Sequence, residues 1–130
     1  MQKIILGAML SLLIFTGCKK DSPVPTTYPI QGLWVGSYTD LNATLYFSFS
    51  VYPDGTLSYK SIFDNTTVFS SGTWNLTDTT FTFTTTAVNY PPNVTQSGTA
   101  IYNKSKGTLV GSGADQAQTD PFTFTLTKVN

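Results

Sequence analysis

The sequence predicts an all-β domain: an eight-stranded antiparallel up-and-down meander closed into a barrel. Three observations carry that reading. Apolar and hydroxyl residues alternate with a period of two over most of the chain beyond residue 27, and no segment there has helical periodicity. The alternating runs are short and are joined by brief links rich in turn residues, the pattern of a meander. Glycines recur on one face of several runs, as a closing, strongly coiled sheet requires. An open meander would leave two edges exposed to aggregation, and pairing the first strand with the last removes them. The alternative is a two-sheet β-sandwich, which normally needs longer Greek-key crossovers than these links supply.

The strands follow in order. Gly32 to Tyr38 is the first. Ala43 to Val51 has the clearest alternation, with Leu45, Phe47, Phe49 and Val51 on one face and Thr44, Tyr46, Ser48 and Ser50 on the other. Pro53-Asp54-Gly55 then makes a tight turn, because Pro presets the first corner and Gly is free to take positive φ. Leu57 to Phe63 returns, Asp64-Asn65-Thr66-Thr67 turns, and Val68 to Leu76 follows. Thr77-Asp78-Thr79 leads into Thr80 to Val88. After the proline-containing link Asn89 to Asn93 come Val94 to Tyr102, Gly107 to Gly113 and Phe122 to Val129.

Two patterns repeat within these strands. Phe-[Ser/Thr]-Phe-[Ser/Thr] occurs at Phe47 to Ser50, Phe81 to Thr84 and Phe122 to Thr125. Its rings face inward, and its hydroxyls meet water while favouring extended backbone. The second pattern begins with Gly, as in Gly32-Leu33-Trp34 and Gly72-Thr73-Trp74, where alternation puts the Gly and the Trp on one face. A bulky Trp beside a missing side chain fills a small barrel efficiently.

The opening of the domain, Tyr28 to Tyr38 ("YPIQGLWVGSY"), resembles the calycins, the group of lipocalins and avidins. Those barrels begin with a short turn and a Gly-x-Trp motif on the first strand, matched here by Gly32 and Trp34. In that group a basic side chain at the end of the last strand packs over the Trp. Its usual Arg is absent here, and Lys128 stands in its place. The resemblance implies a lipocalin-like barrel over residues 28–130, with Trp34 as the plug at its closed end. The other lipocalin motifs and the C-terminal helix are missing, and two tryptophans are too few for an avidin biotin site.

The N-terminal segment carries an address. Lys3 precedes the uncharged apolar run Ile4 to Phe15, which suits a signal peptide and is shorter than the ~20 residues a transmembrane helix needs. The run ends in Phe15-Thr16-Gly17-Cys18, which resembles the lipobox of bacterial lipoproteins. That resemblance implies cleavage before Cys18, acylation of its thiol, and a signal peptide over residues 1–17. It also implies a Gram-negative envelope and a lipid-anchored protein. Position 19 is Lys, not the Asp that marks retention at the inner membrane, so the outer membrane is expected. Residues 18–27 then form the lipidated N-terminus and a short, polar, proline-containing tether.

Composition narrows the chemistry. The chain has no His, Arg or Glu; its charges are seven lysines and seven aspartates. Without His there is no Ser-His-Asp triad and no imidazole metal ligand. A single cysteine cannot form an internal disulfide or a multi-thiolate metal site. Without Arg or a basic patch, nucleic acid is not an expected partner. Asp54, Asp64, Asp78 and Asp120 all sit in turn sequences, where the carboxylate serves the backbone. The protein is therefore read as not an enzyme, with no cofactor and no metal.

Two functions fit. An eight-stranded barrel can hold one small ligand. In that case Tyr38, Phe49, Tyr59, Trp74, Phe83 and Tyr102 line an apolar cup with a few hydroxyl anchors. Alternatively the barrel is filled by its own rings, and the protein is an interaction or inhibitor protein meeting an envelope protein through its outer surface and loops. The longest links, Asn89 to Asn93 and Ala114 to Asp120, with Tyr90 and Gln116, are the candidates for contact. The five Asn-x-Ser/Thr triplets follow from a composition rich in Asn and Thr, and Asp78-Thr79-Thr80 reads as a hairpin turn.

Overall fold

The computed structural model describes residues 27–41, 43–89, 93–117 and 119–130. The signal segment, Cys18, nearly all of the tether and Tyr90 lie outside the described residues. The chain forms β1 (Gly32–Thr39), β2 (Thr44–Val51), β3 (Thr56–Phe63), β4 (Thr66–Thr77), β5 (Thr80–Ala87), β6 (Thr95–Asn103), β7 (Thr108–Asp115) and β8 (Phe122–Lys128). Each strand pairs antiparallel with its sequence neighbours, and β1 pairs with β8, so the meander closes. This is the lipocalin-like barrel expected from sequence, and closure excludes the sandwich.

Local chemistry sets the turns. Asp54 Oδ1 accepts hydrogen bonds from Thr56 N at 2.9 Å and Thr56 Oγ1 at 2.6 Å, closing the β2–β3 turn. Asn103 Oδ1 accepts from Lys106 N at 3.0 Å in the β6–β7 turn. The β3–β4 link is tighter than sequence implied. Phe63 pairs with Thr66, so only Asp64 and Asn65 turn, both at positive φ, 45° and 58°. Two residues in that region match the right-handed twist of the flanking strands, and Asp and Asn tolerate it better than most. Thr66 and Thr67 thereby join β4, which is longer than expected.

The inward faces meet in one core. Trp34, Phe47, Phe49, Phe81, Leu57, Leu109 and Leu126 are completely or almost completely buried. The glycine at position 72 shows how tightly the wall coils. A Cβ there would run into the Thr84 carbonyl oxygen and lie 2.7 Å from Thr85 Cα on β5. Gly32 has a second reason to lack a side chain. Its φ is +113°, and a Cβ would occupy the place of the Lys128 ammonium.

Replacing Gly72 by Ala should therefore cost about 1–3 kcal/mol, because the obstacle is backbone and cannot swing aside. The outward neighbour Thr73 is exposed, and Thr73→Ala should stay within about 0.5 kcal/mol. Thermal unfolding followed by circular dichroism measures both. Equal melting temperatures for the two variants would contradict the close approach.

Candidate functional site

The interior is the first place to look in a barrel of this kind. All six rings expected to line a cup face inward. Tyr38, Phe49, Tyr59, Phe83 and Tyr102 are buried, and Trp74 is half-buried. They pack on one another and on Trp34, Phe47, Phe81, Phe122 and Phe124. Phe49 lies 4.9 Å from Phe83 and 5.9 Å from both Phe81 and Phe124, and Phe47 lies 4.8 Å from Phe49 and 4.9 Å from Tyr59. These centroid distances are those of rings in direct contact, mostly edge to face, as the ring quadrupole prefers. The middle of the barrel is thus occupied by its own side chains.

The end where β1 begins is also filled. There Trp34 is fully buried and donates from Nε1 to the Ile30 carbonyl at 2.7 Å. Lys128 pairs with Trp34 across the β1–β8 seam, and its Nζ lies 5.3 Å from the ring centroid. The same ammonium donates to the Gln31 carbonyl. Its pKa is held below the ordinary lysine value by partial desolvation. Trp74 stacks on Phe81 at 5.9 Å and donates from Nε1 to the Tyr52 carbonyl at 2.9 Å. It therefore ties β4 to the β2–β3 turn and closes the same end. The chain enters here too: Tyr28 N donates to the Lys104 carbonyl at 2.9 Å, and the Tyr102 hydroxyl donates to the Tyr28 carbonyl.

The opposite half of the interior is more polar. Ser61, Ser70 and Thr85 are buried on β3, β4 and β5, with Ser70 opposite Tyr59. Thr85 Oγ1 is the one buried side-chain polar atom among the described residues with no hydrogen-bond partner. An orphan of this kind costs about 1–3 kcal/mol.

The open space lies outside the barrel. A concavity of about 650 Å³ runs over the outer faces of β6, β7 and β8, bounded by Asp40, Leu41 and Pro121. A second, of about 390 Å³, continues over β7, β8 and β1, and the two share Thr39, Ser112 and Thr123. Sequence reasoning did not single out this face. Its residues are the hydroxyl members of the alternating pattern, and only the register brings them together. Thr99 pairs with Ser112, Ser112 with Thr123 and Thr123 with Thr39, so four hydroxyl residues stand in one row across four strands. Elsewhere on the outer wall Lys60 Nζ lies 5.9 Å from the rings of both Tyr46 and Phe69.

The two long links fare differently. The Asn89 side chain is committed to β4, accepting from Phe69 N and donating to the Thr67 carbonyl, each at 2.7 Å; residues 90–92 lie outside the described residues. Ala114 and Asp115 belong to β7, not to a loop. The Asp115 carboxylate accepts from Thr119 N at 2.9 Å and Thr119 Oγ1 at 2.7 Å, which fastens the turn that contains Gln116. Among the described residues no group of three or more His, Cys, Asp or Glu side chains comes together.

The interior fixes one titration. Burial is the main cause that pushes the Tyr59 phenol from 10.0 up to about 12, against a smaller opposing effect from its Ser61 hydrogen bond. Burial also raises Tyr38 and Tyr102. The folded chain therefore keeps these protons longer than the unfolded chain does. The stabilisation from Tyr59 is complete below the unfolded value near pH 10, is lost as pH rises towards about 12, and amounts to about 3 kcal/mol at most. Urea unfolding across that window should show this loss, and Tyr59→Phe should flatten it. A variant with the same alkaline slope as the native chain would show that Tyr59 does not carry it.

No family model, no curated protein and no solved structure matches this chain.

Proposed function

We propose that this chain is a lipid-anchored envelope protein of a Gram-negative bacterium, held at the outer membrane through Cys18, that meets an envelope component with the outer surface of a solid barrel. The observation that carries the outer-surface reading is the filled interior. The rings around Phe49 use their surface on one another, while the concavities of the described residues lie on the outer wall. The place where the chain enters agrees with anchoring. Tyr28 is fastened beside the β6–β7 turn at the Trp34 end, and the larger concavity reaches the opposite end, next to Asp40 and Pro121. A tether entering at one end leaves the other turned away from the bilayer.

A second reading, a small apolar ligand within the barrel, has one observation in its favour. The Thr85 hydroxyl is buried without a partner, and a ligand atom there would satisfy it.

Two measurements test these readings. Cys18→Ser should move the protein from the detergent-requiring membrane fraction to the aqueous fraction, and the intact mass of the native protein should show loss of residues 1–17 and gain of acyl chains. A Cys18→Ser protein that stays with the membrane would end the anchoring claim. Titration of the native protein with an apolar fluorescent dye should give no saturable, displaceable binding at micromolar dye. A saturable site lost on substituting the Phe49 ring would move the function to the barrel interior.

A further inference from the structure

The chain enters the barrel against a single hairpin. Tyr28 N donates to the Lys104 carbonyl, the Tyr102 hydroxyl donates to the Tyr28 carbonyl, and the Tyr28 ring lies where a Gly107 side chain would stand. All three partners belong to β6 and the β6–β7 turn. The anchor proposed at Cys18 is joined to this hairpin by ten residues, a reach of at most about 36 Å.

The charges of the barrel are divided between its ends. The four links at the end away from Tyr28 contain no lysine, and Asp40, Asp64, Asp115 and Asp120 stand at that end. The β6–β7 turn carries Lys104 and Lys106, both exposed. Neither side chain makes an ion pair or hydrogen bond with another described residue. Lys128, at the same end, is committed to Trp34 and Gln31. The aspartates of this end, Asp54 and Asp78, lie in the β2–β3 and β4–β5 turns, so the rim is basic on its β6–β8 side. The outer wall beside the basic turn is apolar. Ile101 and Val110 face each other across β6 and β7 and are more than half exposed. Thr80 and Thr125 flank the pair, so its row holds no charge. Exposed apolar side chains occur at the other end too, but there Leu41 follows Asp40, Phe63 precedes Asp64, and no lysine stands beside them.

We infer that the β6–β7 hairpin docks on the anionic phospholipid surface of the bilayer that holds the anchor. This docking rests on the anchoring reading and adds to it the orientation of the barrel on the membrane. Lys104 and Lys106 meet the lipid phosphates, while Ile101 and Val110 enter the headgroup layer, as in an interfacial segment with a basic and an apolar face. Each lysine near an anionic surface favours the docked state by about fivefold. That is weak for a free protein. It suffices for a tethered one, because a short tether holds the hairpin beside the surface at an effective concentration on the order of millimolar. The end with four aspartates is repelled by the same surface and points away from it.

The test is headgroup quenching of a fluorescent label on the full acylated protein, whose own cysteine is blocked by its acyl chains. One new cysteine at a time carries the label: Ser105→Cys at the hairpin tip, Thr73→Cys on the β4 wall, or Gln116→Cys at the opposite end, all exposed positions. The protein is reconstituted into vesicles of phosphatidylcholine and phosphatidylglycerol in equal parts, with a quencher on some headgroups. The label at 105 should be quenched at least about fivefold more strongly than the other two. The double change Lys104→Glu, Lys106→Glu should bring it close to them, and so should vesicles of phosphatidylcholine alone. Equal quenching at the three positions, strongest quenching at 73 or 116, or quenching at 105 that survives either change would overturn the docking. In each of those cases the protein still floats with the vesicles, and the anchoring reading stands. A chain that carries no acyl group and does not float with vesicles ends the anchoring reading and the docking with it.

Discussion

The β1–β8 ladder is the constraint on which the rest of the structure depends. It runs from Trp34 opposite Lys128 to Thr39 opposite Thr123 and turns a meander with two open edges into a surface with none. Closure with eight strands also sets the size of the interior, just wide enough for side chains to fill. The seam is reinforced where it starts. Lys128 lies over the Trp34 ring, Gly32 leaves room for its ammonium, and the Gln31 carbonyl accepts from it. A long cation with an apolar stem suits this place, since it covers the ring and still reaches a backbone acceptor at the rim.

Once the interior is of that size, its occupants follow from the alternation. The three Phe-[Ser/Thr]-Phe-[Ser/Thr] segments lie in β2, β5 and β8, and their rings converge on Phe49. The same segments place hydroxyls on the outer wall. One repeated pattern thus writes both a dry aromatic core and a wet, nearly uncharged coat. A core of rings in contact leaves the coat and the loops as the surfaces that stay exposed.

The scarcity of charge has a structural counterpart. Several aspartates serve the backbone, as Asp54, Asp40 and Asp115 do by accepting from Thr56, Ala43 and Thr119. Asp64 and Asp78 hold positive φ in two hairpins. With the carboxylates committed to turns and Lys128 committed to the seam, the broad face over β6, β7, β8 and β1 presents hydroxyl and methyl groups.

The strands, the closure and the inward set of rings could all be read from the chain, because a period of two is local and each run carries enough residues to declare its face. The Gly32–Trp34 motif and Lys128 could be paired in advance, since closure puts the first and last strands side by side. The exact turn at Asp64-Asn65 could not, because it depends on how far β3 and β4 continue to pair. Nor could the row of hydroxyls on the outer wall. Thr99, Ser112, Thr123 and Thr39 are scattered over the chain among many other hydroxyl residues, and nothing in their spacing marks them out. The register of three strand pairs aligns them, and that register follows from packing the inward rings at fixed heights in a closed barrel. The amino-acid order alone therefore settled which face of each strand is dry. Which hydroxyls stand together on the wet face was settled only when eight strands closed on one another.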